Sequence, residues 1–233
     1  MVMDLSKEII SFYGAHQVID VLAPFLSKIR LNKIDQVLSS RLKGIELAIE
    51  RPYDIHNGFA AIRTAEAMGI YNIHFIDAQL KKGQGRSTTR GALKWVNFKR
   101  HVDSSSFMPV VKGMKIAGAC CDGKMLLSDL PISQPVCFVF GNEKDGLSKD
   151  MKKKCDYLFK LPMFGMMESY NLSVAAAITL FDYQRRLRDL NQSTGNLSSP
   201  EKNSEKARFI IQTLGLDQSH KLLKRLTLSK PKR

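Results

Sequence analysis

The run Val136–Phe140 is apolar from end to end, and 114–119 is apolar apart from Lys115. A segment this short has no side to turn to water unless both faces are covered. Strands of that kind belong to parallel sheets sheathed by helices. The rest of the middle of the chain fits. Residues 45–49 alternate like a strand, and 73–76 form another short apolar run. Between them, 56–69 has helical spacing with Gly69 as a C-terminal stop, and 171–188 reads as a long helix with alanines on its packing face. Strands alternating with helices predict a doubly wound α/β sheet, which binds ligands at the C-terminal edge of its strands.

The ends of the chain read differently. Ile9, Ile10, Val18, Val21, Leu22, Phe25 and Ile29 carry helical spacing, with breaks near Gly14 and Pro24. Residues 191–206 are polar and read as a linker, followed by a short amphipathic piece over 209–216 and a basic tail over 221–233. The expected organisation is a helical extension over 1–43, a central domain over 44–190, and linker, short helix and tail over 191–233.

Charge sets the class of partner. Thirty-six Lys and Arg against 22 Asp and Glu give +14, which favours a polyanion. No basic amphipathic helix with a large aromatic face stands out, so nucleic acid is preferred to a membrane. No apolar run approaches the roughly 20 residues of a membrane helix, and the first residues do not read as a signal peptide. The four cysteines form no CxxC pair and no zinc spacing with histidine. Cys120 and Cys137 read as small core residues. The expectation is a cytoplasmic protein without metal.

Three stretches carry chemistry. The first runs from Asn57 through Arg63 to Gly69, where Asn57 suits a helix cap and Arg63 suits an i, i+3 pair with Glu66. The second is the strand Val136–Phe140 running into Gly141-Asn142-Glu143-Lys144-Asp145-Gly146. Its glycines permit backbone approach that a Cβ would block. It is neither a GxGxxG fingerprint nor a Walker loop. The third is the apolar loop from Leu161 to Tyr170, leading into Ser169 and Asn171 at a helix start. Ser169 and Asn171 suit capping, and the loop suits wrapping an adenine.

Together, in this order and spacing, the three stretches resemble the signature of the SpoU, or TrmH, family of SPOUT RNA methyltransferases. The resemblance covers 37–188. It implies a SPOUT-type parallel sheet with a C-terminal trefoil knot, and a homodimer whose active site is assembled at the subunit interface. It implies S-adenosyl-L-methionine as cofactor, cradled by Gly141, Asn142, Glu143, Leu161, Met163, Tyr170 and Leu172. Asn57, Arg63, Glu143, Ser169 and Asn171 match the polar positions near the reacting centre. Tyr170 departs from the family's usual leucine.

The implied reaction is methyl transfer to a ribose 2′-hydroxyl of RNA. Arg63 is a poor base, because guanidinium pKa values exceed about 12. Orienting the hydroxyl or stabilising developing charge suits it better. Between Lys81 and Arg100 seven basic residues occur without an acid, with Trp95 and Phe98 interleaved, which suits RNA contact as well as it suits a solvated loop. Arg86, Arg90 and Lys94 from that stretch, His56 beside Asn57, and Arg185 and Arg188 on the last helix are the candidate RNA contacts. The layout resembles family members that methylate the guanosine at position 18 of tRNA. Ribosomal RNA as substrate, and a non-catalytic RNA-binding module, are the alternatives.

Overall fold

The computed structural model describes residues 5–81 and 83–228, with Arg86 and 226–228 described through their backbone only. The helices α1 (Leu5–Tyr13), α2 (Ala15–Leu22) and α3 (Lys28–Ser39) come first. Gly14 separates the first two with φ +80°, and Pro24 lies in a 3-10 turn before the third. Then follow β1 (Leu42–Glu50), α4 (Ile55–Ala67), β2 (Ile70–Ile76), α5 (Arg86–Thr89), β3 (Asn97–His101), α6 (Ser104–Phe107), β4 (Lys115–Ala119), β5 (Met125–Leu126), β6 (Val136–Phe140), α7 (Lys149–Lys154), β7 (Tyr157–Lys160) and α8 (Leu172–Asn191). Two further helices, α9 (Ser199–Leu214) and α10 (Leu216–Leu228), close the described chain.

The seven strands form one sheet in the order β3-β2-β1-β6-β4-β7-β5, with every pair parallel. β2 and β6 are buried almost throughout, as the apolar runs demand, and so is most of β1, although its sequence alternates. Phe138 packs edge-on against Phe159 and Tyr183, with ring centroids 5.8 and 4.9 Å apart. Burial of each such ring contributes about 1.5–3 kcal/mol. α8 brings Ala176, Thr179, Leu180 and Tyr183 inward at helical spacing and packs on α4. The other face of the sheet holds Ala48, Cys137 and Val139 with Phe107, Leu147 and Met151.

Three strands escape the sequence pattern. β3 reads NFKRH, because an edge strand need not be apolar. There Phe98 packs edge-on against Phe75 at 5.0 Å, so the core rather than a stacked base accounts for it. β5 and β7 are too short to show a period.

The terminal segments are helical well beyond expectation. Ser198 and Glu201 make a reciprocal capping box, with Pro200 in the first turn, and launch the 16-residue α9 where a linker is expected. The described residues up to Arg41 and from Thr194 onward gather into one compact unit, and those of Leu42–Ser193 form the other. In the helical unit α9 is central and contacts α1, α2, α3 and α10, with Phe209, Ile210 and Ile211 buried. The described part of the expected basic tail, 221–228, lies within helix α10. No helix among the described residues is long and apolar enough to cross a membrane.

Candidate active site

The chain moves outward from β1 to β2 and β3, then returns to the other side of β1. At such a reversal the strand ends leave a crevice. β6 ends there at Gly141. A Cβ on Gly141 would stand 2.2 Å from the carbonyl carbon of Gly146 and 2.3 Å from the nitrogen of Leu147. The loop 141–146 therefore folds flat on itself, held by Asn142 N–H to Gly146 O at 3.0 Å and Gly146 N–H to Asn142 O at 2.8 Å. Buried Glu50, at the end of β1, accepts from both the backbone N–H and the hydroxyl of Ser148, at 2.9 and 2.7 Å. That carboxylate pins the far end of the loop to the neighbouring strand. Nothing in the sequence singles out Glu50, since it reads only as the polar end of an alternating strand.

Beyond the ends of β6, β4 and β7 lies a cavity of about 640 Å³. Gly141, Asn142, Glu143, Leu161, Met163, Tyr170 and Leu172 all line it, as does Ser169. Phe140, Phe159 and Ala175 add apolar wall. Its size and its mixture of apolar wall and main-chain polar groups suit an adenosine-bearing ligand. Tyr170 closes the loop on itself, its hydroxyl donating to the Pro162 carbonyl at 3.2 Å. A leucine there would leave that carbonyl without the phenol. Cys120, expected in the core, instead stands at the cavity wall with Cys121, Asp122 and Lys152. Its thiol donates to Asp122 at 2.6 Å, and burial pushes its pKa up, so it stays protonated. Cys137 is the fully buried core thiol.

A polar chain joins the three sequence stretches. Asn57 donates to Glu143 Oε1 at 2.8 Å, and Glu143 Oε2 accepts from the Tyr53 N–H at 2.7 Å. Asn171 donates to Asn57 Oδ1 at 3.1 Å while its own Oδ1 caps α8 at the Ser173 N–H. Asn57 is not a cap. Asp54 caps α4 by accepting from the His56 N–H, which frees Asn57 to work inside the first turn. Ser169 makes no cap either; that role belongs to Asn171 alone.

Arg63 stands apart. It lies six residues after Asn57, which places it about 9 Å along α4 and a third of a turn away. It is exposed, and it lines neither this cavity nor the smaller one beside it. Among the described residues it has no ion pair with Glu66, the partner its spacing suggests.

The remaining basic positions scatter. His56 is exposed, with Nδ1 3.0 Å from the Thr88 hydroxyl. Arg90 ends α5 at φ +48°, and Lys94 is exposed. The side chain of Arg86 lies outside the described residues. Arg185 is exposed and meets Asp182 and Asp189, each at 3.5 Å. Arg188 turns inward: it donates to Gln184 and, at 2.9 Å, to the Met68 carbonyl, and burial lowers its pKa. Its guanidinium braces α8 against the end of α4.

A model of the SpoU rRNA methylase family matches residues 44–181, the sheet and the first half of α8. The chain belongs to this family. Its members are RNA 2′-O-methyltransferases that use S-adenosylmethionine, and the cavity residues fit that cofactor. A tRNA (guanosine(18)-2′-O)-methyltransferase from Borreliella burgdorferi is 30% identical over 173 residues, 73% of this chain and 79% of its own length. The Aquifex aeolicus protein of that name is 29% identical over 209 residues, 86% of this chain and 94% of its own. Among solved structures, the A. aeolicus TrmH/SpoU tRNA modifying enzyme superposes with a TM-score of 0.64 at 24% identity, covering 88% of this chain and 98% of that one. The AviRb methyltransferase of Streptomyces viridochromogenes, solved in complex with AdoMet, gives 0.57 over 64% of this chain and 58% of that one, at 24% identity.

Proposed function

We propose that this SpoU-family enzyme methylates the 2′-hydroxyl of a tRNA guanosine, position 18 of the D-loop. The observation that carries the reading is the Glu143–Asn57–Asn171 chain beside the strand-end cavity, at positions the relatives' signature reserves for the reacting centre. The match to the A. aeolicus relative runs beyond the sheet into the terminal helices, which supports the tRNA substrate over ribosomal RNA. The net charge of +14 suits either RNA.

S-adenosylmethionine supplies an electrophilic methyl group. The chain's own task is to hold it and a ribose oxygen in line, which is worth up to about 7–11 kcal/mol. Glu143, fixed by Asn57 and the Tyr53 amide, keeps the cavity mouth rigid. Asn57 and Asn171 present amide groups to the ribose, and Ser169 lies on the cavity wall beside them. The Arg63 guanidinium orients the target phosphate and offsets charge building on the oxygen. It does so in a neighbouring protomer. Arg63 has no place in its own cavity, and α8 exposes Val174, Ile178 and Phe181 on one stripe, the kind of apolar face a second copy covers. A homodimer brings the two together. His56, Arg90, Lys94 and Arg185 then extend the RNA track, with Arg86.

We also read the C-terminal part as a trefoil knot. β7 lies between β4 and β5, which are consecutive in the chain. The loop joining them presses on the end of β7: a Cβ on Gly123 would fall 2.6 Å from the Phe159 carbonyl carbon. The chain leaving β7 must pass that loop to reach α8.

The test is transfer of labelled methyl from S-adenosylmethionine to unmodified tRNA transcripts, with ribosomal RNA in parallel. Label in tRNA, lost with Arg63→Ala, supports the proposal. Label in ribosomal RNA alone replaces the substrate. Cofactor binding without transfer to either RNA refutes both.

A further inference from the structure

A second cavity, of about 480 Å³, opens beside the first, at the ends of β1 and β2. Asn142 lines both, so a single side chain forms a shared wall. Arg51, Tyr53, Asp54, Asp77, Gln79 and Gln84 line the second. It lacks the Phe, Leu and Met side chains that wall the cofactor cavity. With Asn142 and His56, which line it too, the cavity offers two carboxylates, three amides, a guanidinium and an imidazole for hydrogen bonds at the edges, and the exposed Tyr53 ring as a stacking face.

The cavity is tied to the reacting centre through its backbone. The Tyr53 N–H donates to Glu143, and the Asn142 amide donates to the Arg51 carbonyl at 2.8 Å. Whatever occupies this space is held a few bonds from the Asn57–Glu143 pair. Tyr53 is exposed, and the Lys144 ammonium sits 3.8 Å from its ring centroid. Of the two carboxylates, Asp54 is engaged by the His56 amide. Among the described residues the Asp77 side chain meets only Arg51, at 3.5 Å, with both side chains more than half exposed. Such a pair opens at little cost. Gln84 uses its oxygen to accept from the Lys81 N–H, which leaves its amide group as donor.

We propose that this second cavity is the subsite for the target nucleotide, a guanosine whose base edge donates to the Asp77 carboxylate. Guanine presents N1–H and N2–H side by side, and a carboxylate accepts both. Adenine presents an acceptor at N1, which a carboxylate repels. Gln84 or Gln79 donates to O6, Tyr53 packs against the base, and Arg51, released from Asp77, meets the phosphate. The proposal rests on the reading of the chain as a guanosine methyltransferase and names the part of the site that reads the base.

Asp77 suits a clean test. Its φ is +48°, a conformation that glycine and asparagine adopt more readily than aspartate, so neither Asp77→Gly nor Asp77→Asn strains the fold. The full-length protein and both variants are assayed on tRNA transcripts carrying guanosine or inosine at the target position. Inosine keeps N1–H and lacks the N2 amino group. Wild type should favour guanosine by about tenfold or more in kcat/KM. The variants should lose that preference, chiefly through KM, with cofactor affinity and urea midpoint unchanged. Variants that keep the wild-type preference overturn the proposal.

A second measurement is independent of turnover. Guanosine monophosphate, titrated into the protein, should shift the backbone amide signals of Tyr53, Asp77 and Gln79, and adenosine monophosphate should not. Shifts with both nucleotides alike, or with neither, overturn the proposal even where tRNA is methylated. Selective shifts support it even where the tRNA assay fails.

Discussion

Gly141→Ala is the smallest change that reaches the cofactor cavity from within. The added methyl would sit 2.2 Å from the Gly146 carbonyl carbon and 2.3 Å from its oxygen, and the three atoms nearest to it are all backbone. No side chain can rotate away, so the loop must lift by about an ångström or more to restore van der Waals contact. Lifting it breaks the two hydrogen bonds between Asn142 and Gly146. At about 0.5–1.5 kcal/mol each, their loss costs about 1–3 kcal/mol of stability. The same movement carries Glu143 off Asn57 and the Tyr53 amide. A misplacement of that size lowers turnover by about a hundredfold. Urea unfolding, calorimetric titration with S-adenosylmethionine and single-turnover methyl transfer read the three effects. A variant that unfolds at the wild-type urea midpoint and binds the cofactor within twofold of wild type would refute the account of the loop as a flat, glycine-dependent cavity floor.

Other perturbations follow from the same geometry. Ser148→Ala removes the hydroxyl donor from buried Glu50 and leaves only the backbone amide to hold it. It should cost about 1–3 kcal/mol in urea unfolding, and an unchanged midpoint would count against Glu50 as the anchor. Ser198→Ala takes away half of the α9 capping box and should cost about 1 kcal/mol. Its melting transition should fall while cofactor affinity holds. His101, whose ring lies 3.0 Å from that of His74, has its pKa lowered by burial and then by the His74 charge. A histidine depressed in the folded state leaves the unfolded chain binding more protons. Stability is therefore full above the ordinary value of 6.5 and falls as pH drops through it, by at most about 1.4 kcal/mol per pH unit for this group. Urea midpoints measured from pH 8 to 5 should fall more steeply for wild type than for His101→Gln.

The sheet was legible where its strands are buried on both faces. Val136–Phe140 can only be a covered strand, and it is one, residue for residue. Edge and short strands were not legible, because NFKRH at β3 faces solvent along one side and β5 spans only two residues. The capping box at Ser198 and Glu201 was visible as Ser-x-x-Glu, but the surrounding Ser, Asn and Gly outweighed it and read as a linker. The cavity's lining was legible through two motifs, because each follows the end of a different strand, and the third supplies Asn57 to the polar chain beside it. Its supports were not. Glu50 acts through a contact 98 residues away, and no periodicity marks a carboxylate that accepts from a distant amide; Asp54 caps its helix two residues on, where Asn57 offered a competing cap. Arg63 shows the limit from the other side. Its motif was plain, yet its own chain gives it no site.

The most direct test of the account is methyl transfer to a tRNA transcript with one oxygen removed. Full-length protein, labelled S-adenosylmethionine and two transcripts suffice, one with guanosine and one with 2′-deoxyguanosine at position 18. The account predicts label in the first, recovered on digestion as 2′-O-methylguanosine, and none in the second. Equal label in both would place the methyl group on another atom or another nucleotide and contradict the central claim.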